Sequence, residues 1–140
     1  MGNIAFRPVE QTDHKEVVSL LRQLSPFSPD ANMLDQIWVS FATQKNVFSV
    51  VGEYGQEIVA YGSLVIETKI RGGKVGHIED VVIKDKFRNI GLGKLIVEHL
   101  CEMAASRECY RISLQCPDKS VAFYKKCGFD LSEIGMSRVP

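Results

Sequence analysis

The sequence lacks a long hydrophobic run and lacks an excess of either charge. No apolar stretch approaches the ~20 residues that cross a bilayer, so nothing predicts a transmembrane helix. Seventeen basic and seventeen acidic residues cancel at pH 7, which argues against a broad nucleic-acid or membrane-binding surface but permits a local basic pocket. The N-terminus shows no signal-peptide pattern. We therefore expect a cytoplasmic protein without nucleic-acid or membrane partners.

Cysteine and histidine are too sparsely spaced to predict a metal site. The four cysteines, at positions 101, 109, 116 and 127, form no C-x-x-C pair, so the sequence predicts free thiols. The three histidines, at 14, 77 and 99, suggest no nucleophilic triad. With 45% apolar residues, 140 residues can fold around one core. Because no repeat or linker interrupts them, we expect a single domain over residues 1–140.

Hydrophobic periodicity predicts an α/β domain with elements in the order β-α-α-β-β-β-α-β-α-β. A capping box at Asp13 and Glu16 predicts the start of the first helix, and two prolines at 26 and 29 end it. In the second helix we expect the apolar residues Met33, Leu34, Ile37, Trp38 and Phe41 to contact the core. The predicted strands are Ile4–Pro8, Val47–Gly52, Ile58–Lys69, Val75–Ile83, Tyr110–Gln115 and Asp130–Met136, and the later helices are Gly91–Ser106 and Ser120–Cys127.

Residues 76–94 predict a strand, then a basic turn, then a helix that begins near Gly91. Backbone N–H groups at a helix N-terminus lack intrahelical partners and favour anions, most often phosphate. Gly91 and Gly93 have no β-carbon, so a pyrophosphate can approach the backbone closely. Arg88 and Lys94 add positive charge. The segment therefore predicts a phosphate site.

Candidate proton-transfer groups flank this loop. Glu79 and Asp80 lie on the preceding strand, and because they are adjacent we expect them on opposite faces of the sheet. Either carboxylate can take a proton from an ammonium through water. Tyr124 lies in the later segment 123–129, and its reference pKa near 10 leaves it protonated and able to donate at pH 7. A solvated strand end and a core tyrosine remain the alternatives.

These motifs together resemble the GNAT N-acetyltransferase superfamily. Arg88-x-x-Gly91-x-Gly93 is similar to its acyl-coenzyme A pyrophosphate loop, and residues 123–129 are similar to its F-Y-x-x-x-G-F signature, in the same order and spacing. The resemblance covers nearly the whole chain. It implies the GNAT fold, a mixed and mostly antiparallel sheet covered by helices, with two strands splayed to admit acetyl-CoA.

The resemblance also implies roles for particular residues. Backbone N–H groups on Val81–Ile83 are expected to polarise the thioester carbonyl, although an ordinary buried strand is the alternative. Tyr124 is expected beside the departing sulfur, which makes it catalytic together with Glu79 and Asp80. The expected cofactor-binding residues are Val81, Val82, Ile83, Arg88, Asn89, Ile90, Gly91, Leu92, Gly93, Lys94, Ser120 and Tyr124.

Within the superfamily, segments 76–82, 91–95 and 109–112 are most similar to members that act on an aminosugar phosphate. This implies transfer of an acetyl group from acetyl-CoA to the amine of glucosamine-6-phosphate, a step of UDP-N-acetylglucosamine biosynthesis, by a homodimer without a metal. The expected substrate-binding residues are Ser25, Lys69, Arg71, Glu79, Asp80 and Arg138, with Arg138 reaching across the dimer interface.

Three positions depart from the family pattern. Gln115 stands where an acidic residue is usual, which weakens any general-base role there; Ser120 replaces the usual Asn; and Pro117 is unusual in its loop.

Two alternative functions remain open. The acceptor is another small amine or a peptide amine, or the chain is a non-catalytic acyl-CoA-binding regulatory domain. The basic cluster of Lys69, Arg71 and Lys74 favours a small anionic acceptor over a peptide. Tyr124 and the acidic pair argue against a pure binding domain, which needs neither.

Overall fold

Residues 3–140 are described by a computed structural model, in which five strands form one sheet. The strands are β1 (Ile4–Pro8), β2 (Val47–Tyr54), β3 (Glu57–Thr68), β4 (Lys74–Ile83) and β5 (Cys109–Leu114). They lie in sequential order, with antiparallel pairing from β1 to β4 and a parallel pair between β4 and β5. The sheet is therefore mixed and mostly antiparallel, as predicted.

Four α-helices accompany the sheet: α1 (His14–Leu21), α2 (Leu34–Ala42), α3 (Leu92–Ser106) and α4 (Val121–Lys126). Short 3-10 turns precede each of them, at Gln11–Asp13, Ala31–Met33, Asp85–Phe87 and Asp118–Ser120. None of the helices in residues 3–140 is both long and apolar enough to cross a bilayer.

Helices cover the sheet on both faces. Adjacent residues Val50 and Val51 belong to different buried clusters, because neighbouring side chains of a strand point to opposite sides. On one side α3 inserts Leu92, Ile96 and Leu100, all fully buried. Each such side chain contributes roughly 1.5–3 kcal/mol through burial. The smaller α1 covers the other side, and the two layers hold β4 rigidly in between.

The predicted capping box at Asp13 and Glu16 is wrong, because both carboxylates are used elsewhere. Asp13 accepts hydrogen bonds from both terminal nitrogens of Arg7, at 2.7 and 2.9 Å, and from the backbone N–H of Glu10 at 2.8 Å. Glu16 accepts from the backbone N–H of Ile58 at 3.2 Å. The first pair ties β1 to the start of α1, and the second ties α1 to β3.

Helix α2 forms where it was predicted, but its apolar residues do not enter the core. Met33 and Ile37 are 42% and 37% exposed, while Trp38 and Phe41 are half-buried. The helix faces the ends of β1 and β2 rather than the middle of the sheet. It therefore encloses a cavity of about 260 Å³ instead of packing on a continuous apolar layer.

The predicted final strand Asp130–Met136 is not formed. Leu131, Ile134 and Met136 are 75%, 92% and 92% exposed, and residues 130–140 pair with no strand. The edge of β5 stays unpaired, and nothing else in residues 3–140 covers these side chains. The tail is thus an extended, apolar and uncovered segment.

Candidate active site

A β-bulge interrupts β4 at the acidic pair. Ser63 of β3 pairs with Glu79, but the next pair on this side joins Tyr61 to Val82. One residue of β3 therefore lies opposite two residues of β4, the first of which is Asp80. Asp80 has φ +54°, a left-handed conformation that is uncommon for residues with a β-carbon and is best tolerated by Asp and Asn. The bulge bends β4 and re-aims the groups that follow it.

The bulge breaks the strict alternation on which the expected opposite faces of Glu79 and Asp80 depend. Strict alternation would put Asp80 on the same face as Ile78, towards α3. Instead Ile78 and Val81 both pack on the α3 side, with the acidic pair between them. Both carboxylates are exposed. The extra residue has broken the alternation between Ile78 and Val81 and leaves two exposed acceptors at the bulge.

Strands β4 and β5 separate just beyond this point. Their parallel ladder ends at the pair Ile78–Leu114, so within residues 3–140 the segment 79–83 pairs only with β3. The backbone groups on its other side are left to a ligand. An extended amide-containing chain can add there like a strand, and N–H groups at a splay can stabilise a developing oxyanion. Val82 is only 2% exposed and packs in the buried cluster beneath α1.

The phosphate loop ends at Gly91, which immediately precedes the 15-residue helix α3. Gly91 has φ +86° and ψ 0°, and a β-carbon built on it would meet nothing within 4 Å. Leu92 is fully buried and anchors the helix start. The space beside Gly91 is thus open at the N-terminal end of α3, where the helix dipole favours an anion.

Two basic side chains flank this helix start. Arg88 is half-exposed and contacts Asp85 Oδ1 at 3.2 Å and Gln23 Oε1 at 3.1 Å. Lys94 is exposed on the first turn of α3. Asn89 adopts φ +63° in the exposed turn between them, next to the exposed Ile90. The loop therefore combines a helix start with exposed positive charges.

Tyr124 lies on α4 with its ring between two aromatic neighbours. The ring centroids of Phe123 and Phe129 are 4.9 and 6.0 Å away, both in edge-on geometry. Burial raises the pKa of the Tyr124 hydroxyl, and the nearby thiols of Cys116 and Cys127 add to that effect. The phenol is therefore neutral at physiological pH and keeps a proton to donate.

The structure separates Lys69 and Arg71 from the acidic pair of the same chain. Both lie at the turn between β3 and β4, where Lys69 contacts Glu67 at 3.0 Å and the neighbouring Tyr110 raises the pKa of Arg71. From this turn to Asp80, β4 runs for about 20 Å at its usual rise per residue. That is longer than a phosphorylated hexose, so one subunit cannot bring all of them to one acceptor. Their role in substrate binding stays a prediction that requires a second subunit.

The remaining predicted site residues lie on the surface around the splay. Ser25 is exposed in the loop that follows α1. Ser120 is half-buried immediately before α4. Arg138 is exposed in the tail, which runs past the end of β5, where a β-carbon on Gly135 would come within 3.0 Å of the Gln115 side chain. Their contacts with ligands stay predictions.

Sequence reasoning missed a set of buried hydroxyls beneath Glu79. Ser49, Tyr61 and Ser63 are each less than 10% exposed, on the face of the sheet that α1 covers. Small polar residues scattered through apolar strands give no local signal, since only the pairing of three strands brings them together.

In the part of the chain that the structure describes, no three His, Cys, Asp or Glu side chains cluster as metal ligands. All four cysteines are free, as predicted.

Comparisons with known proteins identify the family. The model of the Acetyltransferase (GNAT) family matches residues 15–129. A probable glucosamine 6-phosphate N-acetyltransferase 2 from Oryza sativa subsp. japonica is 38% identical over 137 residues, which cover 91% of this chain and 82% of that protein. A crystal structure of glucosamine-6-phosphate N-acetyltransferase from Arabidopsis thaliana superposes with a TM-score of 0.88 at 33% identity, covering 99% of both chains.

A shorter match is more similar in sequence. The glucosamine 6-phosphate N-acetyltransferase of Trypanosoma brucei brucei is 47% identical over 78 residues, 54% of this chain, and the chain spans about half (53%) of that relative's length. The range that the family model matches contains the bulge, the helix-start loop and the tyrosine helix described above. The chain belongs to the GNAT acetyltransferase family.

Proposed function

We propose that this protein transfers the acetyl group of acetyl-CoA to the amine of glucosamine-6-phosphate, giving N-acetylglucosamine-6-phosphate and CoA. The observation that carries the proposal is the bulge at Glu79 and Asp80, which lies at the splay of β4 and β5. Relatives that match most of the chain are named for this reaction. The same step would supply the N-acetylated sugar for UDP-N-acetylglucosamine biosynthesis.

The cofactor is proposed to lie across the splay. Its pyrophosphate binds the N-terminus of α3 between Arg88 and Lys94, where N–H donors and positive charge coincide. Its pantetheine arm pairs with the free side of β4, as an added strand would. This arrangement brings the thioester to segment 81–83, whose N–H groups polarise the carbonyl.

The chemistry then needs three proton movements. The acceptor arrives as an ammonium and loses one proton, through water, to Glu79 or Asp80. The amine lone pair attacks the carbonyl carbon, and the nitrogen of the tetrahedral intermediate then loses its extra proton to water. The carbon–sulfur bond breaks with its electron pair on sulfur, and Tyr124 donates a hydrogen bond or a proton to that thiolate; a donated proton is replaced from water. No group other than acetyl-CoA and the amine is consumed.

A homodimer is proposed to complete the sugar-phosphate subsite. The tail exposes Leu131, Ile134, Met136 and Val139, an apolar segment that one chain leaves uncovered. The free edge of β5 lies next to it. A second copy would cover both and bring its Arg138 to the acceptor phosphate of the first. In the same dimer, Lys69 and Arg71 of one subunit would contribute to the acceptor site of the other subunit, because they cannot reach the acceptor site of their own chain.

A mixing experiment tests the shared site. Sedimentation velocity at micromolar protein should show a dimer. Subunits carrying Arg138→Ala and subunits carrying Tyr124→Phe, each of low activity alone, should regain activity when mixed, because one site of the mixed dimer receives intact residues from both chains. Absence of recovery despite measured subunit exchange would contradict sharing.

An acceptor panel tests the reaction. Thiol release from acetyl-CoA is measured with glucosamine-6-phosphate, glucosamine, other hexosamine phosphates and lysine-containing peptides, and the product is confirmed by mass. We expect turnover to be fastest with glucosamine-6-phosphate and much slower without the phosphate. Fastest turnover with a peptide would instead identify a peptide amine as the acceptor. CoA binding with no turnover of any amine would favour the regulatory domain.

A further inference from the structure

Three strands place a row of side chains beneath the acidic pair. Ser49 of β2 pairs with Ser63 of β3, which pairs with Glu79 of β4, so all three lie on the same face of the sheet. Directly opposed side chains have β-carbons about 5 Å apart. The two serine hydroxyl oxygens are 2.5 Å from each other, and both residues are buried, at 7% and 4% exposure.

Tyr61 is the third buried hydroxyl residue on this face of the sheet. It is 5% exposed and lies under Val17 and Leu20 of α1, and the neighbouring Ser49 and Ser63 hydroxyls oppose part of the effect of burial on the pKa of its phenol. Burial raises the pKa of the phenol, and the negative charge of Asp80 adds to that effect. The group is therefore a neutral hydrogen-bond donor, and it lies within electrostatic reach of the bulge.

A buried hydroxyl row is costly unless every member is satisfied. Hydroxyls lose their water when buried, and an apolar triplet of similar shape would stabilise this layer more simply. Here the described residues leave no buried side-chain nitrogen or oxygen without a partner. A fully satisfied network fixes one arrangement of its strands, because any shift breaks several hydrogen bonds together.

Residues of the network pair with β4 on both sides of the bulge. Ser63 pairs with Glu79, immediately before the bulged residues Asp80 and Val81, and Tyr61 pairs with Val82, immediately after them. Between these anchors Asp80 keeps φ +54°, a conformation that persists only where its surroundings hold it. A slip of β4 by one residue would remove the bulge and would also separate the hydroxyl row from Glu79.

We propose that Ser49, Tyr61 and Ser63 are positioning residues that hold the bulge of β4, and with it the acidic pair and the N–H groups of segment 81–83, in the reactive geometry. They are too deeply buried to touch either substrate, so they act through the backbone of β4. The kinetic part of this inference rests on the proposed acetyl transfer, while its structural part does not.

Hydrogen exchange measures the bulge directly. Tyr61→Phe removes one hydroxyl and keeps the ring. We expect amide exchange at residues 80–83 to accelerate about tenfold, the loss of one net hydrogen bond, while exchange in β1 stays unchanged. Ser49→Ala should produce the same local pattern, and the double variant should add little, because both changes break one network. Tyr54→Phe, at an exposed tyrosine of β2, is the matched control.

Kinetics separates positioning from simple packing. In Tyr61→Phe and Ser49→Ala we expect kcat to fall about tenfold while the KM for acetyl-CoA stays within about twofold, since the helix-start loop is untouched. A lower Tm with unchanged exchange at residues 80–83 overturns the proposal, and so does unchanged kcat with wild-type exchange. If the wild type turns over no aminosugar phosphate, the proposed function fails, but the exchange measurement still decides the role of the network.

Discussion

Gly93, on the first turn of α3, lies against the ring of Phe123 on α4. A β-carbon built on Gly93 would come within 3.1 Å of Phe123 Cζ and 3.2 Å of Cε1. The next residue of α4 is Tyr124. This contact therefore joins the helix that presents the phosphate loop to the helix that presents the phenol.

Gly93→Ala should disturb both halves of the cofactor site. The added methyl must displace Phe123, and overpacking of this kind typically costs about 1–3 kcal/mol. We expect lower thermal stability together with weaker CoA binding. Replacing the ring with a smaller side chain, in the double variant Gly93→Ala/Phe123→Leu, should restore part of the thermal stability and part of the CoA affinity. Calorimetry with CoA and thermal unfolding on the same samples provide the measurement, and wild-type values for Gly93→Ala would show that α4 moves freely.

A charge test at Gly91 probes the phosphate loop. The sequence suggests a modest cost for substitution there, but φ +86° makes any β-carbon strained. Asn tolerates this conformation best, so Gly91→Asn carries the strain, and Gly91→Asp carries the same strain plus a negative charge. We expect the Asp variant to bind CoA at least about tenfold more weakly than the Asn variant, with the gap narrowing at high salt. Equal affinities would remove the pyrophosphate from this loop.

Tyr124→Phe should lower kcat by about 10²–10³ with little change in CoA affinity, because the lost donor matters most as charge develops on sulfur. The ring contacts with Phe123 and Phe129 remain, so the Tm should hold. Because burial raises the pKa of the phenol, ionisation of Tyr124 should not reduce kcat of the wild type until the pH exceeds about 10. Tyr54→Phe serves as the control. Wild-type kcat, with chemistry shown to be rate-limiting, would exclude Tyr124 from the mechanism.

Asp13→Asn tests the pair that ties β1 to α1. Hydrogen bonds from Arg7 hold the pKa of Asp13 below its ordinary value, so its ionised form stabilises the folded state. That stability is complete above pH ~4 and is lost as the pH falls through the folded-state pKa. We expect Asp13→Asn to cost about 2 kcal/mol at pH 7 in urea unfolding, with the difference shrinking towards pH 2–3. Asp35→Asn, at an exposed carboxylate, should cost little at either pH, and a pH-independent gap for Asp13→Asn would contradict the assignment.

Local pattern predicted most of the fold. Burial repeats every two residues in strands and about every 3.6 in helices, so the bounds of β1 and of α3 could be read from single segments. Features that depend on a partner distant in the sequence could not be predicted in this way. Asp13 looked like a helix cap, but Arg7 on a strand offers it a bidentate partner. The tail showed a strand pattern, but it pairs with no strand in residues 3–140, and the edge of β5 stays open.

The candidate site divides in the same way. The glycine-containing turn and the helix after it follow from local residues, and the structure brings Gly91 to an open helix start as expected. The bulge at Asp80 does not follow from local residues. An extra residue in a strand pair is defined by how β3 pairs with β4 on both sides of it. The row of Ser49, Tyr61 and Ser63 needs three strands in register before it exists at all.

The connections of β4 have a consequence for the order of folding. A short turn joins β4 to β3, but β4 meets β5 only after the whole of α3 has formed between them. Local hairpins close quickly, whereas parallel pairing across a long connection is slow. The chain should thus acquire its acidic bulge early and its thioester cleft late. In refolding, capture of CoA should lag behind amide protection in β3 and β4, so a nascent molecule passes through a stage that has its carboxylates in place and cannot yet bind the cofactor.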